Sequence, residues 1–373
     1  MTRTTLIVLC AGESSRFKHT AKKQWLRIGD EPLWLNVTKR LSQFALFENI
    51  IVVGHKDELS YMKNYSDDYT YVAGGSTRQG SINNALQNVT SQYTMITDVA
   101  RCCIPEEVIS NLLLHKEKAS CIVPVLSVSD TVIYNEETIN RDDVKLIQTP
   151  QLSNTSVLKN ALLTSQEYTD ESSAIKAIKE SVFYITGSEA SKKLTFGDEL
   201  SSIICLDKPS PNCFNGSGID IHQFEDKKPM VLGGINIDAS YGFKAHSDGD
   251  VLIHSVIDAL LGACGAGDIG EFFPDTDAQY KNADSKELLL HIVKFVNSVG
   301  YEIVNIDLTI LAQQPKINPY KNALKSSLAT LLNIPKFKVN IKATTAEKMG
   351  FIGRKEGVAV LSNATLKYYD WTK

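Results

Sequence analysis

The sequence predicts an α/β protein of two domains, the first of them doubly wound around a mostly parallel sheet. From Thr4 onward, short apolar segments alternate with amphipathic ones, which is typical of parallel strands covered on both faces by helices. Residues 206–218, "LDKPSPNCFNGSG", interrupt that alternation with prolines, glycines and polar residues, a composition typical of a linker. The length of 373 residues is about twice that of a common single domain.

The first domain, residues 1–208, begins with the strand "TLIVLC", the helix "PLWLNVTKRLSQFALF" and the strand "NIIVVG". A helix near residues 57–64, the strand "YTYVA", the helix "RQGSINNALQNV" and the strand "YTMITDV" continue the alternation. The helix "EEVISNLLLHK" and the strand "ASCIVPVL" complete it. In a doubly wound domain, ligands bind beyond the carboxyl ends of the strands.

We predict a linker at residues 209–215 and a second, smaller α/β domain at residues 216–373. Its elements are the strands "GIDIHQF" and "MVLGGINI", the helices "DVLIHSVIDALLGA" and "SKELLLHIVKFVNSV", and the strand "EIVNIDLTILAQ". A helix after Pro319 and the strands "KVNIKAT" and "GVAVLSNATLKYY" follow. The change from one alternating pattern to another across a linker indicates a separate folding unit.

Composition and charge exclude several classes of function. The two parts, 1–208 and 209–373, have 22 basic against 25 acidic residues and 17 against 18, so they carry −3 and −1, which argues against a general nucleic-acid binder. The apolar runs are far shorter than the roughly 18 residues of a membrane span. We interpret the amino-terminal apolar stretch as a strand rather than a signal peptide. Seven cysteines without regular spacing favour reduced thiols in a bacterial cytoplasm.

The loop after the first strand, in "LCAGESSRFKHTAKKQWL", forms the first candidate site. Its small residues, Gly12 among them, can cradle phosphate groups on backbone N–H groups at the end of a strand. Arg16, Lys22 and Lys23 contribute three positive charges nearby. A solvated basic loop is the alternative interpretation of these residues alone.

Polar residues follow two later strands. The segment "GGSTRQGS" contributes Arg78 and Ser81, and "TDVAR" contributes Asp98 and Arg101. An aspartate beside phosphate-binding cations is a natural magnesium ligand, because Mg²⁺ prefers one or two carboxylates together with phosphate oxygens. The pattern therefore predicts a magnesium-dependent nucleotide site.

Eight motifs in order, "AGESSRF", "KKQWL", "GGSTRQGS", "TDVAR", "DTV", "TPQ", "TDESSA" and "KKLT", make residues 3–205 resemble the 2-C-methyl-D-erythritol 4-phosphate cytidylyltransferases of the non-mevalonate isoprenoid pathway. The resemblance implies that Arg16 and Lys23 bind the triphosphate and stabilise the transition state, and that Asp98 holds magnesium. Arg141 and Lys193 are expected to position the incoming phosphate. Further implied ligand contacts are Gly12, Gly74, Arg78, Ser81, Arg101, Thr131 and Thr149, the last two on the methylerythritol part.

The implied reaction is the attack of a substrate phosphate oxygen on the α-phosphorus of CTP, with pyrophosphate leaving. A phosphate monoester is already anionic at neutral pH, so this reaction requires cations and a metal rather than a general base. The chain departs from the family pattern at Glu13, Ser14 and Ser15, where a second glycine is usual, and at Ser76, where an acidic residue is usual. These departures support an alternative, a cyclase whose first domain is a degenerate CTP-binding or assembly module.

The second candidate site is a metal centre. Asp220 and His222 are two residues apart in a strand, so their side chains lie on one face. The segment "AHSDGDVLIH" adds His254 on a helix that Ser247 or Asp248 is expected to cap. Two histidines and one carboxylate with an open fourth position are typical of catalytic zinc sites. Helix caps and core histidines are the alternative interpretation.

Residues 214–372 resemble the 2-C-methyl-D-erythritol 2,4-cyclodiphosphate synthases, above all in "AHSDGDV" and "GDIGEFFPDTD". The resemblance implies that Asp220, His222 and His254 bind a divalent metal, usually zinc, and that His246 and Thr345 stabilise the reacting diphosphate. Asp268 and Gly270 are expected at the ribose and Ala312 and Lys316 at the cytosine. The other implied ligand contacts are Ser247, Phe273, Asp275, Asp277, Thr344, Glu347, Phe351 and Arg354.

In this second reaction the substrate's own 2-phosphate attacks its β-phosphorus and expels CMP, with zinc and magnesium lowering the negative charge. The resemblance implies a trimer with active sites between subunits, and a hexamer if the first domains pair. The expected partners are CTP, methylerythritol phosphate and its cytidylyl derivatives, without nucleic acid or membrane. A kinase must act between the two reactions. Association of this protein with that kinase is a further hypothesis. A zinc phosphohydrolase that attacks with water is a third hypothesis.

Overall fold

The computed structural model describes residues 3–164, 166–203, 205–245, 247–274, 276–277, 280 and 283–373. The chain divides into two compact units, Met1–Lys208 with Trp371–Lys373, and Pro209–Asp370. The last three residues thus pack with the first unit rather than with the predicted second domain, 216–373. Within the first unit, Trp371 Nε1 donates a hydrogen bond to the Arg27 carbonyl oxygen at 2.7 Å.

The first unit is built on a sheet that is mostly parallel, as the sequence predicts. Its strands are β1 Thr4–Leu9, β2 Arg27–Ile28, β3 Glu31–Pro32, β4 Asn49–Gly54, β5 Thr70–Ala73, β6 Tyr93–Asp98, β7 Cys121–Ser127, β8 Val132–Tyr134, β9 Glu137–Ile139, β10 Lys145–Ile147, β11 Gln151–Asn154 and β12 Val182–Thr186. Its α-helices are α1 Leu33–Phe44, α2 Leu59–Lys63, α3 Arg78–Leu86, α4 Glu106–Leu114, α5 Thr155–Ala161 and α6 Glu171–Ala177.

The main sheet has the strand order β10-β7-β11-β6-β1-β4-β5, with β12 beside β7. The pairs β1–β4, β1–β6, β4–β5 and β7–β12 are parallel, and β11 runs antiparallel between β6 and β7. Ile7 of β1 packs in a buried cluster with residues of α3, α5 and α6. Its neighbours Leu6 and Val8 face the other way and are also fully buried, so both faces of the sheet are covered.

The second unit is a smaller α/β body. Its strands are β13 Cys213–Asp226, β14 Met230–Leu232, β15 Ile235–Ile237, β16 Tyr241–Phe243, β17 Tyr301–Leu311, β18 Val339–Thr344 and β19 Gly357–Tyr368. Its α-helices are α7 Val251–Cys264, α8 Ile269–Phe272, α9 Ser285–Ser298, α10 Lys321–Leu331 and α11 Gly350–Gly353. The sheet order is β16-β13-β19-β17-β18, and only the pair β17–β18 is parallel among these neighbours.

Strand β13 begins at Cys213, so the carboxyl end of the predicted linker 209–215 is already part of the sheet. The next two glycines are also strand residues, and they allow a close helix contact. A Cβ at Gly216 or Gly218 would overlap backbone atoms of α7, so only glycine lets the helix approach this closely. This contact brings α7 onto the strand that carries Asp220 and His222.

Helix α7 is capped by Asp250, which accepts a hydrogen bond from Ile253 N at 3.0 Å. The prediction of Ser247 or Asp248 as the cap is therefore wrong. Asp250 also accepts from Gly233 N and Gly234 N at 2.8 and 2.7 Å. Asp250 is fully buried, and its carboxylate satisfies three backbone donors. It is therefore the better cap.

Two of the seven cysteines depart from the expected reduced thiols, since Cys103 and Cys205 form a disulfide. They are 102 residues apart in sequence, but the fold brings their Cα atoms to 5.9 Å, within the range that a disulfide spans. The sequence carries no spacing pattern that reveals such a long-range pair. In the described part of the chain, every helix is too short or too polar to cross a bilayer.

Candidate active sites

The first unit has an open cleft of about 470 Å³ at the carboxyl ends of β1 and β6. The loop after β1, the start of α3 and the segment around Lys193 border it. Ligands of open α/β sheets bind at this edge. The predicted site residues that line the cleft are Gly12, Arg16, Lys23, Arg78, Ser81, Asp98 and Lys193.

The loop after β1 is held in place by the residues that follow it. Ser14, one of the three residues that depart from the family's glycine pattern, has a left-handed backbone with φ 54°, a conformation that favours glycine. Its Oγ accepts a hydrogen bond from Lys23 N at 3.0 Å, and Gln24 Nε2 donates to the Gly12 carbonyl oxygen at 3.0 Å. These bonds stabilise the loop without the second glycine and place Lys23 beside it.

Asp98 is the anionic centre of the cleft. Its Oδ1 is 3.1 Å from Arg78 Nε and its Oδ2 is 2.6 Å from Lys193 Nζ. Burial raises the pKa of Asp98, but the two cations outweigh that effect and lower the pKa to about 2. The carboxylate is therefore ionised at neutral pH and is fixed in orientation by its partners.

Arg78 links this aspartate to a second buried acid that the sequence interpretation missed. Its Nη1 is 2.6 Å from Oε1 of Glu171, and its Nη2 is buried without a hydrogen-bond partner among the described residues. Glu171 lies in the motif "TDESSA", but nothing in that motif indicates a partner 93 residues away. Burial is the main cause that raises the pKa of Glu171, and Arg78 opposes it.

Lys23 lies in a crowded positive environment. Its Nζ donates to the Leu194 carbonyl oxygen at 2.6 Å. Burial, and then the nearby charges of Lys193 and Arg16, lower the pKa of Lys23 to about 8. A bound polyanion favours the charged forms of these cations and so offsets the repulsion between them. The cleft is thus electrostatically suited to a triphosphate.

Glu13 at the border of the cleft is compensated by two residues. Its Oε2 is 2.8 Å from Lys22 Nζ and its Oε1 is 2.9 Å from His55 Nε2. Lys22 also lies 2.8 Å from buried Glu58, whose other oxygen accepts from Trp25 Nε1 at 2.6 Å. Burial lowers the pKa of Lys22, but Glu58 and Glu13 raise it more. The Glu13 carboxylate, which departs from the family pattern and is 62% exposed, is thus paired with Lys22 and His55.

The other predicted residues of the first unit do not line the cleft. Gly74 packs behind Ala11, where a Cβ would overlap the Ala11 methyl group. Arg101 Nε donates to Thr149 Oγ1 at 3.0 Å, and the same oxygen lies 3.4 Å from Asp98 N, so this pair braces the end of β6. The remaining two, Thr131 and Arg141, are exposed in the segment that contains β8 and β9.

In the second unit Asp220, His222 and His254 lie together. Asp220 Oδ2 is 3.2 Å from His222 Nε2 and 3.2 Å from His254 Nδ1, and their ligand atoms all lie within 4.8 Å of one another. Burial raises the pKa of Asp220, but the His254 hydrogen bond and both histidines lower it more. Burial lowers the pKa of His254, and Asp220 reverses that shift. Two imidazoles and an ionised carboxylate fit a zinc ion.

Other predicted residues of the second unit lie in separate places. Ser247 joins the metal group, with Oγ 3.3 Å from His254 Nε2. At the ends of β17 and β18, Ala312 N donates to the Thr344 carbonyl oxygen at 3.0 Å. Thr345 Oγ1 donates to Glu347 Oε1 at 2.9 Å.

The remaining positions are on loops and short helices. Asp268 caps α8 by accepting from Glu271 N at 3.1 Å, and Phe273 is buried. Arg354 is exposed and paired with Glu356 at 2.7 Å. Gly270, Asp277, Lys316 and Phe351 are exposed. His246 and Asp275 lie outside the described residues.

Two protein-family models match the chain. The 2-C-methyl-D-erythritol 4-phosphate cytidylyltransferase model covers residues 4–204, and the YgbB family model covers residues 214–367. The matches confirm both resemblances and the order of the two domains. They also assign each site to one family, because the cleft residues lie within 4–204 and the metal group lies within 214–367.

Full-length relatives carry the same two activities in their names. "Bifunctional enzyme IspD/IspF" of Aliarcobacter butzleri is 68% identical over 99% of both chains. The protein of the same name from Sulfurimonas denitrificans is 52% identical over 99% of this chain and 95% of its own. The solved structure of the bifunctional IspDF from Campylobacter jejuni is 46% identical, with a TM-score of 0.90 and complete coverage of both chains. The chain therefore belongs to the bifunctional IspD/IspF family of the non-mevalonate isoprenoid pathway, with a cytidylyltransferase domain followed by a cyclodiphosphate synthase domain.

Proposed function

We propose that the first unit transfers CMP from CTP to 2-C-methyl-D-erythritol 4-phosphate, and that the second cyclises the phosphorylated cytidylyl product and releases CMP. The observation that carries the first activity is Asp98, ionised and held by Arg78 and Lys193 beside Lys23. This arrangement retains the charges that phosphoryl transfer needs. It therefore supports an active transferase rather than a degenerate module.

In the first reaction the cleft residues neutralise charge. Arg16 and Lys23 bind the triphosphate and stabilise the negative charge that develops when the α-phosphorus is attacked. Lys193 binds the incoming phosphate, whose oxygen is already anionic and needs no base. The Gly12 loop supports the phosphates with backbone N–H groups.

Asp98 fits a magnesium ion by its donor chemistry. It is an ionised carboxylate at a strand end, beside cations suited to phosphate, and Mg²⁺ prefers one or two carboxylates with phosphate oxygens. When bound by Asp98, such an ion would supply positive charge for the leaving pyrophosphate. Arg78 keeps the carboxylate charged and oriented, while Thr149 and Arg101 brace the strand end.

Arg141 and Thr131 support pairing of first units. Both are proposed to contact the methylerythritol phosphate, yet in this chain they are exposed and do not line the cleft. Ile133 and Tyr134 beside them are exposed by 68% and 66%, which is typical of an interaction surface. We propose that this segment reaches the cleft of a second chain.

In the second reaction Asp220, His222 and His254 would hold zinc, which when bound would supply Lewis-acid stabilisation of the negative charge on the diphosphate. The chain's part is to fold the substrate so that its 2-phosphate meets its β-phosphorus, an intramolecular attack that gains from orientation. We assign the reacting diphosphate to Thr345 and His246, and the cytosine to Ala312 and Lys316. Magnesium is proposed as the second ion.

A trimer of second units is supported by one face of their sheet. Asp220 and His222 face α7, whereas the alternate residues Ile219 and Ile221 are 65% and 51% exposed, with Leu361 of β19 exposed beside them. Apolar side chains in a row on a sheet face favour burial between subunits. With paired first units, trimers give a hexamer, and the sedimentation mass tests both proposals.

Two assays on the full chain test the proposed reactions. Pyrophosphate release from CTP in the presence of 2-C-methyl-D-erythritol 4-phosphate is expected, and its absence would support the degenerate-module alternative. For the second unit, the products decide: a cyclic diphosphate with CMP indicates the cyclase, and a linear phosphate with CMP indicates a hydrolase.

We propose that both reactions occur in the bacterial cytoplasm. We also propose that the kinase acting between them associates with this protein, and co-sedimentation of the two proteins tests that association.

A further inference from the structure

The two ring nitrogens of His254 have different surroundings. Nδ1 faces Asp220 Oδ2 at 3.2 Å, on the side where the His222 ligand atom also lies. Nε2 faces Ser285 Oγ at 2.9 Å, and Ser247 Oγ lies farther from the same nitrogen, at 3.3 Å. A neutral imidazole carries one proton, so Nδ1 can offer its lone pair to a metal only if the proton is on Nε2. The nearer of these two hydroxyl groups, that of Ser285, therefore has the larger influence on whether His254 is ready to bind a metal.

Ser285 is arranged so that its oxygen accepts. Its hydroxyl donates to Asp248 Oδ1, and its backbone N–H donates to Asp248 Oδ2 at 3.1 Å. A hydroxyl has a single proton to donate. Ser285 uses it in the hydrogen bond to the carboxylate of Asp248, which can only accept. Toward His254 the serine thus presents only lone pairs, and these require a proton on Nε2.

The position of Ser285 is rigid. It is fully buried, and it is the first residue of α9, where Asp284 caps the helix by accepting from Lys286 N. Asp248 is fixed as well, because its Oδ1 lies 3.2 Å from Asp250 N, at the start of α7. The serine and its carboxylate therefore connect the beginnings of two helices behind the metal group.

His222 shows the same principle with a different partner. Its Nδ1 lies 2.9 Å from the Gly249 carbonyl oxygen, which leaves Nε2 facing Asp220. That acceptor belongs to the backbone, whereas the acceptor for His254 is a side chain 31 residues away. Only the second can be removed by substitution.

We propose that Ser285, held by Asp248, is a positioning residue that fixes His254 with its proton on Nε2 and directs Nδ1 toward the metal. The inference rests on the proposed zinc site of the second unit. Ser285 does not touch the metal or the substrate in this role. Partners of this kind, behind a histidine ligand, typically contribute a factor of about 10 to 100 in metal affinity.

The test is zinc affinity of the metal-free full chain, measured by competition with a chromophoric chelator. We expect Ser285→Ala to raise the zinc dissociation constant about 10- to 100-fold. The matched control is Ser298→Ala at the other end of α9, where the hydroxyl only donates to the Phe295 carbonyl oxygen at 2.9 Å. This control should bind zinc like the wild type. A folded Ser285→Ala chain with wild-type affinity would overturn the proposal.

A second measurement needs no variant. In the zinc-loaded wild-type protein, nitrogen NMR of labelled histidine should show His254 with its proton on Nε2 and its metal on Nδ1. The opposite assignment would refute the proposed role even if Ser285→Ala failed to fold. The two proposals also fail differently. A wild-type chain that binds no zinc removes the metal site itself, whereas equal binding by wild type and folded variant removes only the role of Ser285.

Discussion

The two sites handle negative charge in different ways. The cleft of the first unit gathers cations of the chain itself around Asp98, and burial together with the charges of nearby cations lowers the pKa of Lys23 to about 8. The group in the second unit has two imidazoles and Asp220, and its positive charge must come with a metal. Binding of the anionic substrate in the first site therefore depends on the protonation of its cations. Binding of the metal in the second site depends on the orientation of its ligands.

Replacing His254 by alanine should separate the two sites most sharply. Loss of one of three ligands should lower CMP release about a thousandfold, since Lewis-acid stabilisation is worth several kcal/mol. Pyrophosphate release by the first unit should stay within about twofold, which two discontinuous assays on one sample can measure. Loss of both activities would show that the sites are not independent.

The Lys23→Ala variant should give the reverse pattern. Removing a cation from the developing phosphoryl charge should lower cytidylyl transfer about a hundredfold, while CMP release stays unchanged. Lys56→Ala is the matched control, because that lysine is exposed and does not line the cleft. If Lys23→Ala keeps transfer within about threefold of wild type, the role of Lys23 in the transition state is wrong.

The low pKa of Lys23 predicts a pH dependence of CTP binding in the first site. A bound triphosphate favours protonated Lys23, so CTP should bind most tightly below pH 8. Above pH 8 the free lysine is neutral and binding must take up a proton, which weakens affinity by up to about tenfold per pH unit. Calorimetry in buffers of different ionisation enthalpy measures this uptake. Lys23→Arg should flatten the profile, because arginine stays charged, and an unchanged slope in that variant would contradict the assignment.

The smallest expected effect concerns Glu13, the negative charge at the border of the cleft. Glu13→Gln removes a repulsion from the triphosphate and should lower KM for CTP about threefold at low ionic strength, because exposed charges interact weakly. High salt should abolish the difference. Asp57→Asn is the matched control, an exposed acid near His55 that does not line the cleft. A raised KM in Glu13→Gln would mean instead that the Lys22 and His55 contacts hold the loop for binding.

The sequence predicted the α/β class and the alternation of elements because burial patterns with periods of two and 3.6 residues are local. The errors in the interpretation of the sequence also have physical causes. The glycines before Asp220 were interpreted as a boundary, but they lie in β13 because α7 approaches the strand there. The helix cap was assigned to neighbours of Asp250, since several adjacent residues have capping side chains and only packing selects one.

By itself, the sequence determined the two chemistries, their order along the chain and the residue types that each requires, because motif spacing within one strand or loop is a local property. Tertiary structure decided which distant groups complete the sites. Arg78 meets Glu171 across 93 residues, and His254 meets Ser285 across 31. Such pairs leave no periodic signal, since their energy comes from burial and charge compensation that exist only after the chain has folded.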